Sequence, residues 1–273
     1  MKTLYVSDLD GTLLRSDISL SEYTCETINT LAARGMLFSY ATARSYSTAS
    51  KVTKGLDAKI PLIVYNGAFV IDNATEEIMI SNFFGADIQQ VLEELLGHAV
   101  YPIVYAFIDG VERFSYIRER CGQGMLEYID SRAGDRRDHP VKEEAALREG
   151  EIFYITCIGE EEQLAPFYHK YKDKYHCVFQ KDVYSGEPWL EIMPLTASKS
   201  HATQQLKELL GCEKLVVFGD GKNDSDMFEL ADESYAVKNA VEELKSVATA
   251  VIDGNDEDGV AHWLEAHAQT GDK

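Results

Sequence analysis

Two acid pairs in this 273-residue chain stand where apolar runs end. Asp8 and Asp10 follow Thr3 to Ser7, and Asp220 and Asp224 follow Lys214 to Phe218. Open parallel sheets bind their ligands outside the carboxyl ends of the strands, so acids at such exits are candidate ligand-binding groups. Gly11 permits a tight turn after the first pair, which lets both carboxylates face one point. An Asp-Gly step is also an ordinary surface turn; two acids leaving a buried strand together with Gly11-Thr12 is the less common pattern, and it favours chemistry. If Asp8, Asp10, Asp220 and Asp224 converge, each pair about 4 Å apart repels by roughly 4 kcal/mol near a protein surface. A cation must hold them. With oxygen donors alone and no neighbouring His or Cys, the donor set suits Mg2+, an ion commonly shared between carboxylates and a substrate phosphate. Other readings of these acids fail. A calcium loop begun at Asp220 puts Lys222 at its third position, and one begun at Asp253 puts Asp258 at the Gly position and Leu264 at the Glu position. Neither a Walker A motif nor G-x-G-x-x-G occurs.

Lys199 offers a second positive charge. It falls in the first turn of an expected helix after Thr196, where free N–H groups and the helix dipole also favour an anion, although most lysines are merely solvated. Thr42 and the amide of Ala43, at another strand-to-helix junction, could donate to the same anion.

The elements needed to carry these residues alternate. Thr3 to Ser7 reads as a strand. Ser19-Leu-Ser-Glu22 reads as a capping box for a helix that Gly35 closes. Strands are expected over Met36 to Ala41 and Leu62 to Tyr65, the latter ending in the hairpin signal Asn66-Gly67. The tail repeats the order: a helix from Ala197 to Leu210, a strand over Lys214 to Phe218, a helix from Asp226 to Ala231, then strands at Tyr235 to Val237 and Ala250 to Ile252 alternating with helices near 241–248 and 257–267. Such alternation implies an α/β fold, a Rossmann-like doubly wound parallel sheet. The middle reads differently, as α+β, with strands at Tyr101 to Ile108, Arg113 to Ile117, Glu151 to Ile158 and His176 to Phe179. At roughly 150 residues per domain the length suits two, so 1–81 and 190–273 are expected to form one discontinuous core and 82–189 an inserted domain, with a hinge at the paired linkers.

Composition narrows the class. The chain is 45% hydrophobic and 26% charged, without the long apolar run of a membrane span. Against 46 Asp and Glu stand only 26 Lys and Arg, a net charge of -20 that would repel a phosphate backbone, so nucleic acid is not an expected partner. Five scattered cysteines, none spaced C-x-x-C, read as reduced and mostly buried thiols. The first residues are too broken by Ser7, Asp8 and Asp10 to form a secretory signal, and a cytoplasmic location is expected.

In order, Asp8-Leu-Asp-Gly-Thr12, Ala41-Thr-Ala-Arg44, Lys199 and Gly219-Asp-Gly-Lys-Asn-Asp224 resemble the four motifs of the haloacid dehalogenase superfamily of phosphohydrolases. An insertion of roughly a hundred residues between the second and third resembles the Cof-type branch, whose cap lies there. The likeness extends through Met227, Asn239-Ala240 and Asp258-Gly-Val260, whereas the cap matches only in length and pattern. Ala43 stands where the branch usually has Gly, and Val237-Lys-Asn239 replaces a more usual Met-Gly-Asn. The resemblance implies Mg2+-dependent hydrolysis of a small phosphorylated metabolite through an aspartyl-phosphate. Asp8 would be the nucleophile and Asp10 the acid and base. Asp8, the Asp10 carbonyl and Asp220 would hold the metal, with Asp224 orienting its waters or Lys199. Thr42, the Leu9 and Ala43 amides, Lys199 and Asn223 would bind the transferring oxygens, and Arg44 would reach substrate or cap. The alternatives are a phosphomutase or phosphotransferase that passes the phosphoryl group to a sugar hydroxyl, and a noncatalytic phosphometabolite-binding protein.

Overall fold

The computed structural model describes residues 1–56, 61–181 and 186–270, and the chain divides into two units, Met1–Ser81 with Ala197–Lys273, and Asn82–Thr196. In chain order the first unit begins with β1 (Thr3–Ser7), α1 (Glu22–Ala33), β2 (Leu37–Tyr40), α2 (Tyr46–Val52), β3 (Leu62–Val64), β4 (Phe69–Ile71) and β5 (Ile78–Ser81). The second unit runs α3 (Ile88–Gly97), β6 (Ile103–Ile108), β7 (Val111–Tyr116), α4 (Gln123–Asp130), β8 (Asp138–Pro140), β9 (Glu151–Ile158), α5 (Glu161–Tyr171), β10 (His176–Lys181) and β11 (Pro188–Met193). The chain then returns to the first unit through α6 (Lys199–Leu209), β12 (Lys214–Gly219), α7 (Ser225–Leu230), β13 (Glu233–Val237), α8 (Glu242–Val247), β14 (Ala250–Ile252) and α9 (Gly259–His267).

A parallel sheet ordered β14-β13-β12-β1-β2 forms the core of the first unit. Its central strands are buried almost throughout, because helices cover both faces: α1 packs on α9, and α7 joins α6 to α8. This is the expected α/β, doubly wound sheet. β3 departs from that picture. It pairs antiparallel with β4, and β4 with β5, in a separate three-stranded sheet that touches the parallel one through the bridge between Ala41 and Ile63. The turn Asn66-Gly67 sends the chain back antiparallel, so a strand after it cannot continue a parallel crossover. At Gly67, whose φ is +95°, a Cβ would lie 2.2 Å from the Ser198 carbonyl oxygen, and this contact seats the turn against the start of α6.

The capping box expected at Ser19 gives way to a later start. Ser21 caps α1, its oxygen accepting the Thr24 N–H at 2.9 Å, while Ser19 bonds Asp17. Both serines offer a hydroxyl oxygen, and the helix begins after the later one.

The second unit is a sheet ordered β10-β11-β9-β6-β7-β8, antiparallel except for β7 with β8, and is α+β as expected. Val91, Leu92 and Leu95 of α3 and Leu164 and Phe167 of α5 cluster with Val104, Ile155, Leu190 and Ile192. The expected boundary at 189/190 falls inside β11, which pairs on both sides within this sheet. A strand carrying Pro188 and Glu191 among its apolar residues gives a weak run, and its two partners lie elsewhere in the chain. All five cysteines are free; Cys157 alone is buried and four are half-buried, so the expectation of mostly buried thiols does not hold.

Candidate active site

The register of the parallel sheet builds the site. Ser7 stands opposite Phe218 across β1 and β12, and the Asp8 N–H donates to the Phe218 carbonyl at 3.0 Å. Asp8 and Asp220 therefore leave neighbouring strands side by side, at the carboxyl edge where the sequence anticipated a ligand. Past Asp8 the backbone makes one wide turn, closed by the Leu14 N–H on the Leu9 carbonyl at 2.8 Å. Gly11 takes φ +80° within it, and a Cβ there would lie 2.4 Å from Asp220 Oδ2, so glycine is required on both counts.

Asp8, Asp220 and Asp224 each bring an oxygen within 4.8 Å of one another. Lys199 lies among them with a side chain 1% exposed, donating to Asp8 Oδ1 at 2.5 Å and Asp224 Oδ1 at 2.7 Å. It is the first residue of α6, whose cap Ser198 accepts the His201 N–H at 3.1 Å. Asp224 accepts the N–H groups of Asp220 and Gly221, both at 3.1 Å, through its other oxygen. Thr12 donates to Asp220 Oδ1 at 2.9 Å. Burial, helped by the charges of Asp224 and Asp220, pushes the Asp8 carboxyl well above the usual carboxylate range against the pull of Lys199. Asp220 is pushed up to about 6, first by burial and then by Asp224. Burial alone would lower Lys199, but Asp224 and Asp8 outweigh it and hold the ammonium above its ordinary range.

Three carboxylates facing one ammonium leave an excess of two negative charges when all are ionised. An all-oxygen set of that charge fits a hard divalent cation of the Mg2+ kind. The fourth acid of the sequence reading stands apart: the Asp10 carboxylate lies outside this group and is gripped by Arg44, Nε to Oδ2 at 2.8 Å and Nη2 to Oδ1 at 2.6 Å. Of the four acids three meet as side chains, because the Asp10 side chain leaves the wide turn toward the β2–α2 loop. Thr42 is buried in that loop and accepts the Arg44 N–H at 3.1 Å, while Ala43 is exposed. Leu9 is buried, and Asn223 is exposed on the turn before α7.

Several supporting residues carried no role in the sequence reading. Asn239 donates to the Gly11 carbonyl at 2.7 Å and accepts the Asn255 N–H at 3.1 Å. Asn255 in turn donates to the Leu14 carbonyl at 3.0 Å. Arg15 clasps Asp258 through two N–H groups. These side chains tie both ends of the wide turn to the loops before α8 and α9. The family likeness already takes in Asn239 and Asp258 without giving them a task, and Asn255 and Arg15 carried no signal, since a backbone-supporting Asn looks like any surface Asn in sequence.

The haloacid dehalogenase-like hydrolase family matches residues 5–264. Among curated relatives, two 5-amino-6-(5-phospho-D-ribitylamino)uracil phosphatases of Bacillus subtilis are each 26% identical to the chain. One aligns over 97% of both chains, and the other over 94% of this chain and 95% of its own. A crystal structure of a Thermotoga maritima protein superposes with a TM-score of 0.78 at 26% identity, covering 98% of each chain. Among the described residues, no helix is long and apolar enough to cross a membrane.

Proposed function

Since the chain belongs to the haloacid dehalogenase-like hydrolases, we propose that it hydrolyses small phosphate monoesters, sugar phosphates among them, by way of an aspartyl-phosphate on Asp8. The observation that carries this reading is the buried Lys199 ammonium bridging Asp8 and Asp224 beside Asp220. A nucleophilic carboxylate attacking an anionic ester needs its own charge and that of the phosphoryl oxygens offset, and this cluster supplies one fixed cation and three acids for another. Asp8, Asp220 and Asp224, with the Asp10 carbonyl, would hold Mg2+, which when bound offsets charge on nucleophile and phosphoryl oxygens.

Asp8 attacks phosphorus, and the bond to the leaving oxygen breaks as Asp10 gives that oxygen its proton. Water then attacks the phosphoryl group, Asp10 takes its proton, and the Asp8–phosphorus bond breaks to release inorganic phosphate. Lys199, the hydroxyl of Thr42, the Leu9 and Ala43 amides and Asn223 orient the transferring oxygens. The two Bacillus relatives carry names with a ribityl phosphate ester, which supports a small polyol or sugar phosphate. Five free thiols suit a reducing compartment, the cytoplasm.

Phosphate release from p-nitrophenyl phosphate and ribose 5-phosphate with Mg2+ tests the proposal. D8A should lose roughly 10⁴-fold or more of kcat while the fold and Tm persist. Wild-type turnover that survives D8A would remove the nucleophile, and a wild-type protein that turns over no ester would remove the reading.

A further inference from the structure

We propose that Arg44 is a positioning residue for Asp10 and acts through that carboxylate, where the family resemblance implies that it reaches substrate or cap. The inference rests on the phosphatase reading for Asp10's task and on geometry for the pairing. Two features set this arginine apart. First, its backbone is fixed: its N–H donates to Thr42 Oγ1 at 3.1 Å, and its carbonyl accepts the Tyr65 N–H at 2.9 Å. Thr42 is itself held on both sides, its N–H on the Ile63 carbonyl and its carbonyl on the Asn66 N–H. The side chain therefore starts from a loop stitched to β3 and to the turn that follows. Second, the guanidinium meets Asp10 at two points, one N–H to each oxygen. One contact would leave the carboxylate free to swivel; two parallel bonds fix its plane.

Asp10 needs such help. It sits on the wide turn with a side chain 40% exposed, whereas Asp8, two residues earlier, is held by Lys199 in the buried cluster. A half-exposed carboxylate that is to hand a proton to one oxygen and take it from another must be aimed, and an error of about 1 Å can cost 10²-fold in rate. The two-point grip joins the turn after β1 to the loop after β2, so the acid's aim is set by the neighbouring strand of the sheet. A lysine would supply the charge at one point and leave the plane unfixed.

The test exploits leaving groups. A p-nitrophenolate departs without a proton, whereas the alkoxide of ribose 5-phosphate needs one. If Arg44 aims the acid, R44A lowers kcat/KM for ribose 5-phosphate on the order of 10²-fold and for p-nitrophenyl phosphate less than about 10-fold. R44K should fall between R44A and wild type, and millimolar guanidinium should return part of the R44A loss. In a D10N background, R44A should cost less than about threefold on either ester, since the residue it serves is already disabled. Equal losses on both esters, or full additivity with D10N, would assign Arg44 to substrate instead. A crystal structure of R44A decides the pairing without any assay: the Asp10 carboxylate should leave its wild-type orientation, and one that stays in place overturns the proposal. Absence of turnover by the wild type would count against the phosphatase reading alone.

Discussion

Among the described residues each unit buries one long cation between carboxylates, and the two burials differ in how the charge is closed. In the second unit Arg137 pairs with Asp135, two residues away, and with Glu112. Glu112 keeps 26% of its side chain exposed, so water shares its charge. In the first unit Lys199 pairs with Asp8, 191 residues away, and with Asp224, while Asp220 adds a third acid at the same point. Lys199 and Asp224 are all but sealed from solvent. The Arg137 group is electrostatically finished by its own protein and by water; the Lys199 group is left in excess negative charge where solvent reaches little of it. A structural ion pair avoids that condition, and a site built to receive a divalent cation and a phosphate requires it.

Removing each cation is the sharpest way to break the comparison. K199M leaves Asp8 and Asp224 buried without their partner. Turnover should fall roughly 10²- to 10³-fold, and unfolding measured in urea should lose about 3–5 kcal/mol. Adding D224N should restore much of the stability and none of the turnover; joint recovery would make Lys199 purely structural. R137M should cost about 3 kcal/mol of stability and leave kcat within about twofold. Were it to abolish hydrolysis, the two groups would not differ in kind. The smallest effect sharpens the contrast through pH. The folded Asp220 pKa, about 6, lies above its ordinary 3.8, so the folded state binds more protons, and metal-free stability from this group falls as pH rises between those values. A cation that replaces the proton should then stabilise more at pH 7.5 than at pH 5. With Mg2+ at 100 times its Kd the gain is about 2.7 kcal/mol, read as a difference in Tm. An Mg2+ effect equal at both pH values would speak against the acid cluster as its binding place.

Most of the first unit was legible because its signals are local. β1 and β12 are centred on the apolar runs Leu4 to Val6 and Leu215 to Phe218, and α6 is closed by Gly211. The separation of β3 into its own sheet was not, since a three-residue apolar strand reads the same in a parallel and an antiparallel ladder. β11 was lost for a related reason: its identity as a strand depends on β9 and β10 on either side. Within the site, Asp8, Asp220, Asp224 and Lys199 were nameable from their types and places, whereas the pairing of Asp10 with Arg44 was not, because side-chain direction along an irregular turn has no period to read.

The amino-acid order alone named which residues could do chemistry, and that the acids follow buried strands: hydrophobic runs, glycines and acids are encoded position by position. Only the tertiary structure decided which of them meet. Strand order and register depend on pairings between distant segments, and so does the direction each side chain takes from its turn. Those pairings set Ser7 beside Phe218, brought the first residue of α6 to Asp8 and Asp224, and turned one of four acids away to an arginine.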